Sequence, residues 1–195
     1  MLQRHRAGLT WSETGAMARS AHALRDEHGR VWLIDPFEDE EALAAVAELG
    51  SPAGVFQLLD RHNRDCQTIA RRLGVALSRL PVDAVGSPFV PIQVLNVPGW
   101  HEVALWWPAQ RALIVAEALG SGPLFGLGRS LGVHPLLRLH PPRRALSTHE
   151  PELLLVGHGP PLQSGAAAAM TEAFEHSLTD IPRLVAAVPR LLREL

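Results

Sequence analysis

The stretch Asp60-Arg61-His62-Asn63-Arg64-Asp65-Cys66 gathers most of the chain's reactive side-chain types into one loop. The apolar run before it, 55–59, reads as a buried strand that delivers the loop at its C-terminal end. After it, 68–73 reads as a short helix closed by Gly74. Carboxylates, an imidazole and a thiol can all bind metals. The guanidinium groups of Arg61 and Arg64 stay protonated near neutral pH and cannot ligate.

Moving outward, Val31-Trp32-Leu33-Ile34 is short, apolar and β-favouring, and pairs as a hairpin with 21–25 across the Asp26, His28 and Gly29 turn. Asp35-Pro36 breaks that strand. Leu43, Val46 and Leu49 then mark an amphipathic helix over 38–49, stopped by Gly50. Beyond the loop, 75–77 restarts a strand, 81–86 is a loop or edge strand, and 91–97 is a strand ending at the Pro98-Gly99 turn. The runs 103–107 and 112–115 flank 108–111 as a hairpin. Next, 123–132 is a glycine-rich loop, 135–140 a short helix and 152–156 a last strand, and from Gln163 the chain is helical with breaks near Pro182 and Pro189.

Four segments in order carry a resemblance: Leu33-Ile34-Asp35-Pro36, the 60–66 loop, Val97-Pro98-Gly99-Trp100-His101, and Val156-Gly157-His158-Gly159-Pro160-Pro161. Together they resemble the metallo-β-lactamase superfamily over nearly the whole chain. The resemblance implies an α/β (α+β) fold, a four-layer αββα sandwich, as a single domain over 1–195, with two adjacent zinc sites at one sheet edge. In that family the loop reads T-H-x-H-x-D-H. Laid onto it, Asp60 takes the threonine position, Arg61 and Asn63 the first two histidines, Asp65 the aspartate, and Cys66 the last histidine. The histidine after the Pro-Gly turn becomes Trp100, or His101 in a longer turn. The later acid becomes Glu117, one methylene longer, and His158 matches the final histidine.

The resemblance thus implies loss of the first zinc site, through Arg61, Asn63 and Trp100. The second implies one metal held by Asp65, Cys66, Glu117 and His158, a set that suits zinc. The alternative is no metal at all: Asp65 and Glu117 pair with Arg61 or Arg64, Cys66 is an ordinary buried thiol, and Arg61 stands as a fixed charge where the first metal would sit. A third arrangement recruits His62 or His101 as an off-pattern ligand. Asp65, His62 and His101 are the candidate catalytic groups, and Arg61, Asn63 and Trp100 the candidate substrate-binding ones.

Composition bounds the rest. With 195 residues, 47% apolar and 19% charged, the chain has the make-up of one compact domain. A net charge of −2 argues against nucleic acid or an anionic membrane as partner. All 18 basic residues are Arg and there is no Tyr, so Schiff-base lysine chemistry, a phosphate-loop lysine and a phenolic acid cannot be built. The single Cys66 forms no intramolecular disulfide, and 1–8 lacks an apolar signal core, so the expected compartment is the cytoplasm. Trp106 and Trp107 fall on opposite strand faces, one in the core and the other at a partly exposed core edge, or else covering a neighbour or a subunit interface. Gly120, Gly122, Gly126, Gly128 and Gly132 lack the lysine and strand-to-helix context of a phosphate loop, and the resemblance implies that this stretch forms a mobile wall of the substrate pocket.

The expected function is that of a metallo-β-lactamase-fold protein with an eroded dinuclear centre that binds a small molecule or a protein. The alternatives are a mononuclear zinc hydrolase of a thioester, ester, lactone or phosphoester, and a metal-free enzyme using Arg61 or Arg64 with His62 or His101. The C-terminal apolar positions Leu184, Val188, Leu191 and Leu192 dock on the chain's own domain or on a second copy, as in a homodimer.

Overall fold

The computed structural model describes residues 1–62 and 64–191. Asn63, expected to bind substrate, and Leu192 lie outside the described residues. The chain opens with strands β1 (Leu2–His5), β2 (Gly8–Ser12), β3 (Ser20–Arg25) and β4 (Arg30–Ile34), then helix α1 (Glu40–Leu49), β5 (Ser51–Gln57), α2 (Cys66–Leu73) and β6 (Leu77–Arg79). These strands form one sheet in sequence order. Pairing is antiparallel through β4 and parallel from β4 to β6.

The second half contributes β7 (Val90–Val97), β8 (Trp100–Trp107), β9 (Ala112–Val115), β10 (Leu119–Gly120), α3 (Pro123–Gly126), β11 (Gly132–Val133), α4 (Arg143–Leu146), β12 (Leu153–Val156), α5 (Ala166–Glu175) and α6 (Ile181–Leu191). A second sheet runs β12-β9-β8-β7, with β12 parallel to β9, and β10 pairs with β11 in a small ribbon.

The strands show why this becomes a sandwich covered on both sides. In β4, Trp32 and Ile34 enter the core between the two sheets, while Val31 and Leu33 pack outward with Ala42 and Val46 of α1 and Ile69 of α2. In β9 and β12, Ile114 and Leu155 face that same inter-sheet core, while Leu113 and Leu154 pack outward with Met170 and Phe174 of α5. Strands buried on both faces read as unbroken apolar runs rather than alternating ones. The result is helix, sheet, sheet, helix: the αββα sandwich. No helix among the described residues is long and apolar enough to cross a membrane.

Several local expectations need correction. The N-terminal hairpin β1–β2 had no assignment, because Arg4, His5 and Arg6 interrupt its apolar pattern. The 123–132 loop contains the α3 turn, started by Pro123 at a position where its missing N–H costs nothing. The 135–140 helix shrinks to a 3₁₀ turn at Pro135–Leu137. The C-terminal break falls between α5 and α6 rather than at Pro182, which sits in the first turn of α6, and Pro189 lies inside that helix. Trp107 fills the inter-sheet core, and Trp106 packs on the outer face against His149, with ring centroids 4.9 Å apart.

Candidate metal centre

The site is assembled where β4, β5, β9 and β12 end. Just past β4, Asp35 adopts a left-handed backbone (φ 45°) and turns its carboxylate across the sheet edge. One oxygen accepts from the Leu58 N–H at 2.9 Å and the other lies 3.1 Å from Nδ1 of His62. Burial works to raise the Asp35 carboxyl, but the His62 ring, Arg64 and the Leu58 N–H outweigh it and hold it below its ordinary value. A carboxylate behind an imidazole fixes the ring's tautomer and leaves Nε2 for other work. Arg64, also left-handed (φ 35°), buries its guanidinium against the carbonyls of Ser20, Asp35 and Gly157, tying the ends of β3, β4 and β12 together.

His158 follows β12. Its Nδ1 donates to the Met17 carbonyl at 2.8 Å; a carbonyl only accepts, so the proton sits there and Nε2 carries a lone pair. That Nε2 is buried with no hydrogen-bond partner. It faces Oε1 of Glu117 at 3.8 Å. Burial, reinforced by His62, lowers His158 to about 4, so the ring is neutral. Two lone-pair donors aimed at one another in an enclosed space are unfavourable unless something electropositive lies between them.

Glu117 is fixed from behind. Glu102, wholly buried at the sheet edge, accepts from the Glu117 and Ala118 N–H groups at 2.9 Å each and from Nε1 of Trp100 at 3.1 Å. Burial pushes the Glu102 carboxyl up to about 7 despite these donors. In front, Arg61 donates to Oε2 of Glu117 at 2.5 Å and to the Gly99 carbonyl at 2.7 Å, and lies 4.3 Å over the Trp100 ring. Burial opposes the Glu117 charge, but Arg61, then His134 and His62, outweigh it and keep its carboxyl low.

His62, Glu117 and His158 each offer a ligand atom, all within 4.8 Å of one another. They are 7%, 9% and 2% exposed, so the cluster is enclosed. Phe125 stacks on His158 at 5.1 Å, and Trp100 meets His134 edge-on at 4.7 Å.

The arrangement of sheets and helices matches solved structures. DIM-1 metallo-beta-lactamase aligns with TM-score 0.59 at 14% identity, covering 92% of this chain and 95% of that one. The chain has the metallo-β-lactamase fold. A putative diflavin flavoprotein from Nostoc sp. PCC 7120 aligns with TM-score 0.62 at 13% identity over 88% of this chain and 92% of that one. TTHA1623, in a di-iron-bound form, aligns with TM-score 0.51 at 18% identity over 81% and 96%. No family model matches the chain, and no curated protein matches it in sequence.

At this edge of the fold, the ligand set implied by the resemblance is split. Glu117 and His158 come together, and His62 joins them in place of Asp65 and Cys66. Asp65 instead accepts from the Glu38 N–H at 2.8 Å, holding the 36–38 loop to the start of α2. Cys66 turns into the apolar layer beneath α2, its Sγ against the Pro36 and His62 carbonyls, and burial pushes its thiol up to about 12. A thiol held that firmly protonated is a packing group. His101 sits off the cluster, its Nδ1 and backbone N–H both on Oδ2 of Asp60, at 3.1 and 3.0 Å.

Three residues escaped the sequence reading. Asp35 is legible in the sequence only as a strand-ending Asp-Pro within a landmark segment, and Glu102 falls just outside the 103–107 run with no motif to mark it. His134 carries no motif: its Nδ1 accepts from the Leu136 N–H, and Nε2 lies 3.9 Å from Oε1 of Glu117.

Proposed function

We propose that this chain is a metallo-β-lactamase-fold protein whose dinuclear centre is reduced to one metal position, His62, Glu117 and His158, with Arg61 supplying the neighbouring positive charge. The observation that carries this is the buried, unpartnered Nε2 of His158 facing a carboxylate oxygen, with a carboxylate-backed His62 beside them. Two imidazoles and a carboxylate suit zinc or ferrous iron. A tetrahedral ion with bonds of about 2.1 Å spaces its donors roughly 3.4 Å apart, so the 3.8 Å between His158 and Glu117 calls for only a small adjustment.

A divalent ion there would supply Lewis acidity toward a carbonyl or phosphoryl oxygen, which supports hydrolysis of a thioester, ester, lactone or phosphoester. The chain's own residues divide the remaining work. Asp35 orients His62, Glu102 holds the Glu117 backbone, and Arg61, at the mouth, can move from Glu117 to an anionic substrate group. Trp100 and Phe125 keep the surroundings apolar.

The test is metal content per chain by elemental mass spectrometry on tag-free protein, as purified and after supplying zinc or ferrous iron. About one ion per chain is expected, lost in His158→Ala and His62→Ala and kept in Cys66→Ala, with any hydrolysis lost on chelation. A chain that binds no metal under either condition supports the second reading, a metal-free binding protein, which the Arg61–Glu117 ion pair closing over the cluster favours.

A further inference from the structure

At the opposite edge of the sandwich from the metal cluster lies a cavity of about 480 Å³, formed where the β3–β4 turn, the loop before β7 and the β8–β9 turn meet. Its volume is that of a small-molecule site. Trp107 forms one wall, 4% exposed and held edge-on by Phe89 at 5.4 Å, and Pro88 and Pro108 add rigid apolar surface.

Two guanidinium groups reach this cavity from the β3–β4 turn. Arg25 makes no side-chain hydrogen bond or ion pair among the described residues. Arg30 spends only Nε, on Asp26 at 2.7 Å, and lies 5.4 Å over Trp32, leaving both terminal nitrogens without a partner among the described residues. The Asp26 carboxylate has its charge fully engaged, accepting from the His28 and Arg30 N–H groups, from Nε of Arg30 and from the Trp32 indole. Glu27, the other acid of the turn, is exposed beside His28 at 3.6 Å. The cavity therefore presents unspent planar N–H donors beside a rigid aromatic and proline wall.

We propose that this cavity binds a small molecule carrying a carboxylate or phosphate on a flat apolar body. The oxyanion sits on Arg25 and the terminal nitrogens of Arg30, and the body lies between Trp107 and the two prolines. Guanidinium groups recognise oxyanions by paired, charge-assisted hydrogen bonds, and a preformed apolar wall adds affinity without an ordering cost. This site is independent of the metal centre and stands whether or not that centre holds an ion.

The experiment is nitrogen-15 NMR titration of the full chain with phenyl phosphate, benzoate and neutral benzyl alcohol. Saturable shifts are expected in the Trp107 indole and the 26–30, 87–88 and 108–110 backbone. Benzyl alcohol should bind at least about tenfold more weakly, the scale of a lost charge-assisted hydrogen bond. Arg25→Ala, at an exposed position, should weaken anion binding by a similar factor, and Ala109→Trp, which fills the cavity, should abolish it with the fold intact. Phenyl phosphate against benzoate identifies which oxyanion is preferred. Shifts that do not saturate, that centre elsewhere, or that are the same in Arg25→Ala would overturn the proposal.

Discussion

Glu102→Ala is the sharpest test of how the site is built. Glu102 is 0% exposed and accepts three hydrogen bonds, from the Glu117 N–H, the Ala118 N–H and the Trp100 indole. Truncation leaves all three donors buried without an acceptor. Each stranded donor costs about 1–3 kcal/mol, and water entering the space left by the side chain can satisfy one of them. With two donors left stranded, the expected loss is about 2–6 kcal/mol, a large share of the roughly 5–15 kcal/mol that holds a domain together. The assay is urea unfolding followed by tryptophan fluorescence and circular dichroism, with an unchanged slope confirming a stability effect. Glu102→Gln keeps an acceptor for the two backbone groups but turns an amide donor toward the Trp100 indole, so it should lose only about 1–2 kcal/mol. A Glu102→Ala loss below about 1 kcal/mol would refute the claim that this carboxylate anchors the Glu117 segment.

Other outcomes follow from single contacts. A Cβ at Gly157 would stand 2.1 Å from the Ala116 carbonyl oxygen and 3.2 Å from Cε1 of His62, so Gly157→Ala should cost at least about 2 kcal/mol of overpacking and displace the His62 ring, seen as a changed imidazole NMR signal. Burial opposes the Asp26 charge, but the Arg30 N–H, the Trp32 indole, the Arg30 guanidinium and the His28 N–H outweigh it and hold its carboxyl low. A depressed carboxyl binds fewer protons folded than unfolded, so its stabilisation is complete above the unfolded value of about 3.9 and is lost as pH falls through the lower folded one. Melting curves from pH 6 to pH 2 should show this acid-side loss in the wild type, and Asp26→Asn should lack that component. Cys66, buried with its thiol raised to about 12, should stay unreactive to a thiol-disulfide reagent in the native state and react fully in denaturant; rapid native labelling would show that α2 opens.

The sequence by itself pointed to buried strands with helical cover, and the resemblance it carries implied the four-layer sandwich. Runs such as 31–34, 112–115 and 153–156, apolar without alternation, fit strands covered on both faces, and helices spaced around them supply the cover. It also settled that Arg61 cannot be a ligand, since a guanidinium keeps its proton in any environment this fold offers. What it left open was which way each loop residue turns. By position, His62 is an off-pattern candidate between two substituted histidines, and Cys66 the heir of a ligand. The structure reverses them because α2 begins at Cys66 and its first turn packs that side chain into the outer apolar layer, while the left-handed Asp35, distant in sequence, draws His62 inward by its carboxylate. Glu102 and His134 were illegible for the same reason. Their roles come from the β8 edge meeting the segment after β9 and from the turn after β11, contacts between segments that lie far apart along the chain and that no local spacing encodes.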